Sequence, residues 1–524
     1  MTLLVALHND IQKVMKCLKS GEDLDVPRSI AHDRGRWKRM INSIKLIKSE
    51  ALGIARIVFQ TIYHCEMPMS SLTFLKNIEI DYGNYRWIFV CLFLLPASII
   101  FDLFFAIYEK LSFFLTANKS DHNDNVNNVI RQVRQWNNEG RKRFMCTSKP
   151  SWKAVSVKDS KYKSKYYKIN VDLNNIIRVN KEKLTVEVEP QVTMKQISEY
   201  LSPIGFTLAV LPELDALTFG GLILGTGIES SSHIYGLFQH CAVSYDIVTS
   251  NGDLITCSKV SYVKLSQDDK PDLFYSIPWS YGTLGFLVRI EVAIIPSKKY
   301  VKLTYEPLST IEDICRRFSQ VSTEQNPPQF IECILFDRNH AVLMSGVMSD
   351  GDPTLPEIVP FGNNVLFRYL FGWVYPLKIS LLKLTQTKRI KQISEQHQLI
   401  QDILVPIDHI RNVIEVLDDS MRVYPLWLCP MLVKNDPGFI KPTETCEMFV
   451  DVGSYGPVQS PGFECTSSVR LLEKYQMLYS DCYATYEEFR QMFDHSLYDS
   501  VRKAYFCEDA FPEVYEKIKR SARE

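Results

Sequence analysis

Thr218-Phe219-Gly220-Gly221-Leu222-Ile223-Leu224-Gly225-Thr226-Gly227-Ile228-Glu229-Ser230 is the stretch on which the fold assignment turns. Its glycines let a backbone approach a ligand closely, and consecutive free N–H groups in such a loop make a concavity suited to a pyrophosphate. It is not a Walker A loop, because no Gly-Lys-Ser/Thr occurs, and the G-x-G-x-x-G of a Rossmann turn is absent too. Taken alone, the run is equally compatible with tight turns that need positive φ. Ser231, Ser232, His233 and Tyr235-Gly236 follow it. His233 is expected to contact a ligand of the loop, and the upstream Glu213 and Asp215 to cap a helix start.

Outward from the loop the text alternates. Short β-branched runs at 153–157, 169–171 and 184–189 read as strands. Thr193 then opens a helix over 194–201 that closes near Gly205, and 206–211 is another strand. Further upstream, Val126, Val129, Ile130, Val133 and Trp136 recur at helical spacing ahead of Gly140. Downstream, strands are expected at 245–249, 253–257 and 286–295, with Pro296 closing the unit. From Lys298 the pattern changes to strands such as 300–305 and helices such as 311–318 and 409–417. Runs at 396–404, 423–428 and 448–452 and a Tyr-rich C-terminus complete it. The fold class is α+β, with a unit over 113–297 capped by a second α+β unit over 298–524.

Composition narrows the function. The 524 residues carry 60 Lys plus Arg against 60 Asp plus Glu, so no overall basic face favours nucleic acid. Thirteen Cys form no C-x-x-C pair, the ten His form no H-E-x-x-H, and no protein-bound metal is expected. Residues 87–101 carry no charge, and apolar text resumes after Asp102. Together they approach the roughly 20 residues a bilayer core requires, so residues 85–112 are expected to form a membrane helix, spanning or monotopic. Pro96 and Asp102 weaken a full span. Arg131, Arg134, Arg141, Lys142 and Arg143 follow it, which would keep the C-terminal part cytosolic. Residues 1–84 suggest no chemistry.

The order VEVEP, helix, TLAVLPELD, TFGGLILGTGIESSSHIYGLF, YDIVTSNGDLITC and DLFYSIPWSYGTLGFLVRIEVAIIP resembles the FAD-binding domain of the vanillyl-alcohol oxidase and p-cresol methylhydroxylase (PCMH) superfamily. Within it, the chain from about Tyr85 onward is similar to the Δ24-sterol reductases, or Diminuto-like proteins. FVCLFLLP, GTGIESSSH, YGLFQH, GTLGFLV, FRYLFGW, KISLLKLTQ and DAFPEVY carry that similarity. The resemblance implies a PCMH-type two-subdomain FAD-binding domain, noncovalent FAD and NADPH as electron donor. Its substrate would be a sterol of the desmosterol or lanosterol type, reduced at the Δ24 side-chain double bond. It places the FAD segment at Thr218 to Ser230 and brings residues 279–285, WSYGTLG, near the same cofactor. The early loop at 146–152, CTSKPSW, has no His, which leaves Cys146 as the one candidate nearby for covalent flavin. The implied location is the endoplasmic reticulum membrane, with possible association with other sterol-pathway enzymes.

An isolated alkene needs a proton donor as well as hydride. Tyr479 and Asp481, in the polar run 479–483, are the candidate acids. The chain also departs from the family pattern. It passes quickly from Asp350 to Pro360, where relatives carry more cap. It is shortened again near 474–476 and extended over 258–270. Two other assignments stay open: an FAD-dependent oxidase or dehydrogenase of a small alcohol or lactone, and a catalytically impaired variant that binds a sterol or a partner.

Overall fold

Val126, Val129, Val133 and Trp136 fall on one face of helix α1 (His122–Asn138) and are all buried. Gly140, at φ +87°, turns the chain out of it. The computed structural model describes residues 122–154, 160–259, 270–351, 398–444, 446–457, 475–480 and 482–523. The extension 1–84, the expected membrane helix at 85–112, the jump after residue 350 and Asp481 lie outside them. Among the described residues no helix is long and apolar enough to cross a membrane.

Strands β1 (Met145–Thr147) and β2 (Tyr167–Ile169) pair in parallel beside α1. Strands β3 (Ile176–Asn180) and β4 (Thr185–Val188) open a second, six-stranded sheet. Helix α2 (Met194–Leu201) starts as its sequence predicts: the Thr193 side chain accepts from the Gln196 N–H while Gln196 returns a bond to the Thr193 N–H. Gly205 closes that turn at φ +82°. Strand β5 (Phe206–Leu208), short helices α3 (Phe219–Leu224) and α4 (Ser232–Tyr235), strands β6 (Ala242–Val248) and β7 (Leu254–Ser258), and helix α5 (Pro271–Ser276) follow. Strand β8 (Phe286–Pro296) then runs through the middle, pairing with β4, β5 and β6. Val288, Ile290, Val292 and Ile294 face the core, while Arg289 on the other face grips Asp246 at 2.7 and 2.8 Å.

The cap unit is built on a seven-stranded sheet. Its strands are β9 (Tyr300–Leu308), β10 (Phe330–Asp337), β11 (His340–Ser349), β12 (Gln398–Pro406), β13 (Leu426–Leu432), β14 (Met448–Pro457) and β15 (Tyr475–Gln476). Their order across the sheet is β15-β12-β14-β13-β10-β11-β9. The β10–β11 hairpin carries no period-two signal in the sequence, because both strands are nearly continuous apolar runs without clean alternation. One sheet face packs under helices α6 (Ile311–Thr323) and α7 (Ile410–Ser420), through Ile331, Leu428, Val450, Val452 and their neighbours. The other face turns toward the glycine-rich loop.

The C-terminal segment does not stay with the cap. Helices α8 (Tyr486–Met492), α9 (Ser496–Ala504) and α10 (Val514–Ile518) share one core with Met145, Trp279 and Phe286. Arg502 fastens this return. It is 6% exposed, and its guanidinium donates to the carbonyls of Thr283, Phe511 and Pro512 at 3.0, 2.8 and 3.1 Å. Arg502→Met would leave those three acceptors buried and unmatched, at about 1–3 kcal/mol each when a group is fully desolvated. A loss of about 3 kcal/mol or more in urea denaturation is the expected result. A loss below about 1 kcal/mol would show that the carbonyls find other donors.

Candidate active site

The glycine-rich segment begins at Thr218, whose backbone is extended and whose side chain makes no capping bond. The expected capping by Glu213 or Asp215 is not the arrangement found. The Glu213 N–H instead donates to the Glu229 carboxylate at 3.1 Å, and the Asp215 carbonyl accepts from Lys195. Several of the loop's N–H groups are spent inside the protein: Phe219 bonds Val192, Gly220 bonds Pro190 at 2.8 Å, and Gly225 bonds Gly221. Gly220 is required by packing, since a Cβ there would lie 2.9 Å from Pro190 Cβ. The loop is therefore held rigidly to the strand before α2.

Its far end is stitched to the cap. The Ser230 carbonyl accepts from the Ile331 N–H at 2.8 Å, and His233 Nε2 donates to the Pro328 carbonyl at 2.8 Å. His233 Nδ1 is buried without a partner, and burial lowers the ring's pKa. His233 thus ties loop to cap, and a ligand contact is left to Nδ1. Glu229, beside Glu213, is held well above the usual carboxylate range, first by burial and then by that neighbour.

The sheet face opposite carries a row of polar groups that sequence spacing did not reveal. Glu332 on β10 accepts from Trp427 Nε1 at 3.1 Å and is raised by burial. Asp402 on β12 and Asp451 on β14 are both 0% exposed. Tyr455 donates its phenol proton to Asp402. Tyr479 is half-buried against the same core, and its phenol is pushed well above its ordinary range, first by burial and then by its acidic neighbours Asp402 and Asp451. The structure thus sets Tyr479 among acids named from neither motif nor spacing.

At the other end of the loop the sign of charge reverses. Lys517 on α10 is 8% exposed; its Nζ donates to the Tyr281 carbonyl and lies 5.5 Å from the Tyr162 ring centroid. Burial first, then Lys163, lowers it to about 7. Lys163 donates to the Lys149 carbonyl at 2.8 Å, inside the 146–152 loop. Among the described residues no carboxylate pairs with either lysine. Tyr281 in turn donates its N–H to the Leu224 carbonyl, which joins this basic seat to the glycine-rich segment. Cys146 is a free, buried thiol whose pKa burial raises.

A family model described as FAD binding domain matches residues 153–258, a span holding both Lys163 and the glycine-rich loop. The Delta(24)-sterol reductase of Homo sapiens is 42% identical over 505 residues, covering 86% of this chain and 96% of that protein. The chain belongs to the Δ24-sterol reductase family. A Delta(24)-sterol reductase homolog of Caenorhabditis elegans is 36% identical over 509 residues, and the Delta(24)-sterol reductase of Pisum sativum 32% over 542. The D-arabinono-1,4-lactone oxidase of Kluyveromyces lactis is 26% identical over 202 residues, 37% of this chain. The 505 positions aligned with the human reductase exceed the 86% of 524 residues that this chain contributes. Part of the human protein therefore has no counterpart here.

The residues present fit FAD. A buried lysine, Lys517, and a half-buried one, Lys163, neither paired with a carboxylate among the described residues, suit an anion, and a dinucleotide's diphosphate supplies one. The Tyr281 N–H, bonded to the Leu224 carbonyl, and Gly285, close against Val248 and Ile247, hold the WSYGTLG turn against α3 and β6.

Proposed function

We propose that this chain is an FAD-dependent reductase of the Δ24 side-chain double bond of a sterol, taking its electrons from NADPH at the endoplasmic reticulum membrane. One observation carries it: the 42% identity runs over 86% of the chain, through the FAD-binding half and the cap sheet alike. The lactone oxidase match, 26% identical, covers only 37% of the chain. Membrane attachment rests on the uncharged run at 87–101 and belongs to this proposal.

Bound and reduced, FAD supplies hydride. The chain's residues do the rest. Lys163 and Lys517 would hold the diphosphate, and residues 218–230 and 279–285 would contact the cofactor. The acid-lined sheet face supplies a proton, with Tyr479 proposed as the group nearest the alkene. Positive charge is best borne by the more substituted alkene carbon, so hydride goes there and the proton to its neighbour.

The test is anaerobic. Purified in detergent, the protein should show a flavin band that NADPH bleaches and desmosterol restores. A band that desmosterol leaves bleached would favour the catalytically impaired variant, for which the unmatched part of the human protein speaks. Tyr479→Phe should keep its flavin and slow the sterol step by about 100-fold or more, the range of general-acid assistance. Full turnover in Tyr479→Phe would remove that residue from the chemistry.

A further inference from the structure

On β12, Leu399, Ile403 and Val405 point into the core beneath α6 and α7, so Asp402 points to the opposite face, with Leu404. On β14, Val450 and Val452 point into that same helix-side core, so Asp451 also points to the loop side, with Phe449. The two strands are neighbours in the sheet. Both carboxyls are therefore on one face of adjacent strands, both at 0% exposure. Three of their four oxygens, Asp402 Oδ2 and both of Asp451, have no hydrogen-bond partner, and neither has Ser454 Oγ. The fourth accepts from Tyr455. That bond depends on Gly453: a Cβ there would sit 2.7 Å from the Tyr455 hydroxyl, so the glycine lets the ring fold back along its own strand. Tyr455 itself is 41% exposed.

Two neighbouring buried carboxyls cannot both ionise cheaply, and no cation among the described residues pairs with either. They face Glu213 from the loop before α3, Tyr479 from the segment after β15, Tyr455 on β14, and, across Cys429, Glu229 and Glu332. Every one of these is acidic or phenolic. Among the described residues only the Tyr455 hydrogen bond favours a charge, that of Asp402; burial outweighs it and raises both carboxyls, Asp451 further by Asp402. A carboxylic acid kept neutral in a dry site is a proton store that an apolar sterol side chain tolerates.

We propose that Asp402 and Asp451 are the proton source for alkene reduction, Asp451 holding the proton that is given up and Asp402 with Tyr455 forming the route by which it is replaced. The proposal rests on the sterol-reductase assignment and names a residue pair within it. The alkene's π electrons take the Asp451 proton, directly or through Tyr479, to form one C–H bond. Hydride from the reduced cofactor forms the other. The alkene gains two electrons, the cofactor loses two, and Asp451 is left as carboxylate. Asp402 then passes on a proton and recovers one through the Tyr455 hydroxyl.

The experiment uses full-length protein whose flavin is reduced with dithionite, so that NADPH plays no part, and follows reoxidation by desmosterol. Asp451→Asn and Asp402→Asn are isosteric and remove a buried acid; a retained flavin spectrum checks that each folds. Asp451→Asn should slow reoxidation by about 100-fold or more. In the unmutated protein the step should weaken as pH rises through the neutral range, because an ionised Asp402 makes Asp451 hold its proton, and Asp402→Asn should abolish that break. A protonated-carboxyl infrared band should be present at neutral pH, shift in deuterium oxide and be lost in Asp451→Asn. Unslowed reoxidation in both variants, or no such band, overturns the pair. Failure of desmosterol to reoxidise the unmutated protein overturns the reductase assignment, and the pair's catalytic role with it.

Discussion

Replacing Lys517 with methionine is expected to weaken FAD binding by about 10- to 100-fold, the worth of one charge-assisted contact. The same change should raise the melting temperature of the flavin-free protein, because it removes a buried cation that no carboxylate among the described residues offsets. Opposite signs in the two states are the signature: a residue that merely packed would weaken both. The sign with pH follows from the lowered pKa. Without FAD, Lys517 releases its proton above about 7. The diphosphate binds the protonated form and raises that value, so binding takes up a proton. FAD affinity should therefore be level below about pH 7 and weaken above it, by up to about tenfold per pH unit. Lys517→Met should show no such slope. Fluorescence titration of flavin-free protein from pH 6 to 9 measures both; equal affinity and equal slope in the two proteins would remove Lys517 from the site.

Gly285→Ala should be the most damaging single change in the WSYGTLG turn. At φ +151°, Gly285 would place a Cβ 2.6 Å from the Val248 carbonyl oxygen and 2.8 and 2.9 Å from Ile247 carbons. Backbone cannot move aside as a flexible side chain can, and β6 is fixed between β7 and β8. Overpacking of this kind costs about 1–3 kcal/mol before the backbone conformation is counted. A loss of about 3 kcal/mol or more is expected in chemical denaturation, with poor recovery of flavin-loaded protein. Gly282→Ala, at φ +67° but with its nearest neighbour at 3.5 Å, should cost only about 1–2 kcal/mol. Similar losses at both sites would contradict the clash.

Where local signals decide, the sequence was a good guide. Val126, Val129, Val133 and Trp136 formed the buried stripe of α1, Thr193 closed its capping box, and Gly205 ended the turn after α2. The glycine-rich run stands out in the sequence, although its N–H groups are partly spent on Val192 and Pro190. These features depend on spacing within a dozen residues, which a single chain displays in full. The acid face and the basic seat do not. Asp402 and Asp451 meet because β12 and β14 are neighbours in a sheet whose order is not the chain's, and whether each faces helices or loop depends on a two-residue period inside apolar runs. Lys163 and Lys517 meet because the last helices return to the first core, where Arg502 binds the Thr283 carbonyl. Composition and motif pointed to the fold class and the family; burial of charge without a partner, which exists only once distant strands and helices are packed together, marks the proposed anion seat and the proposed proton store.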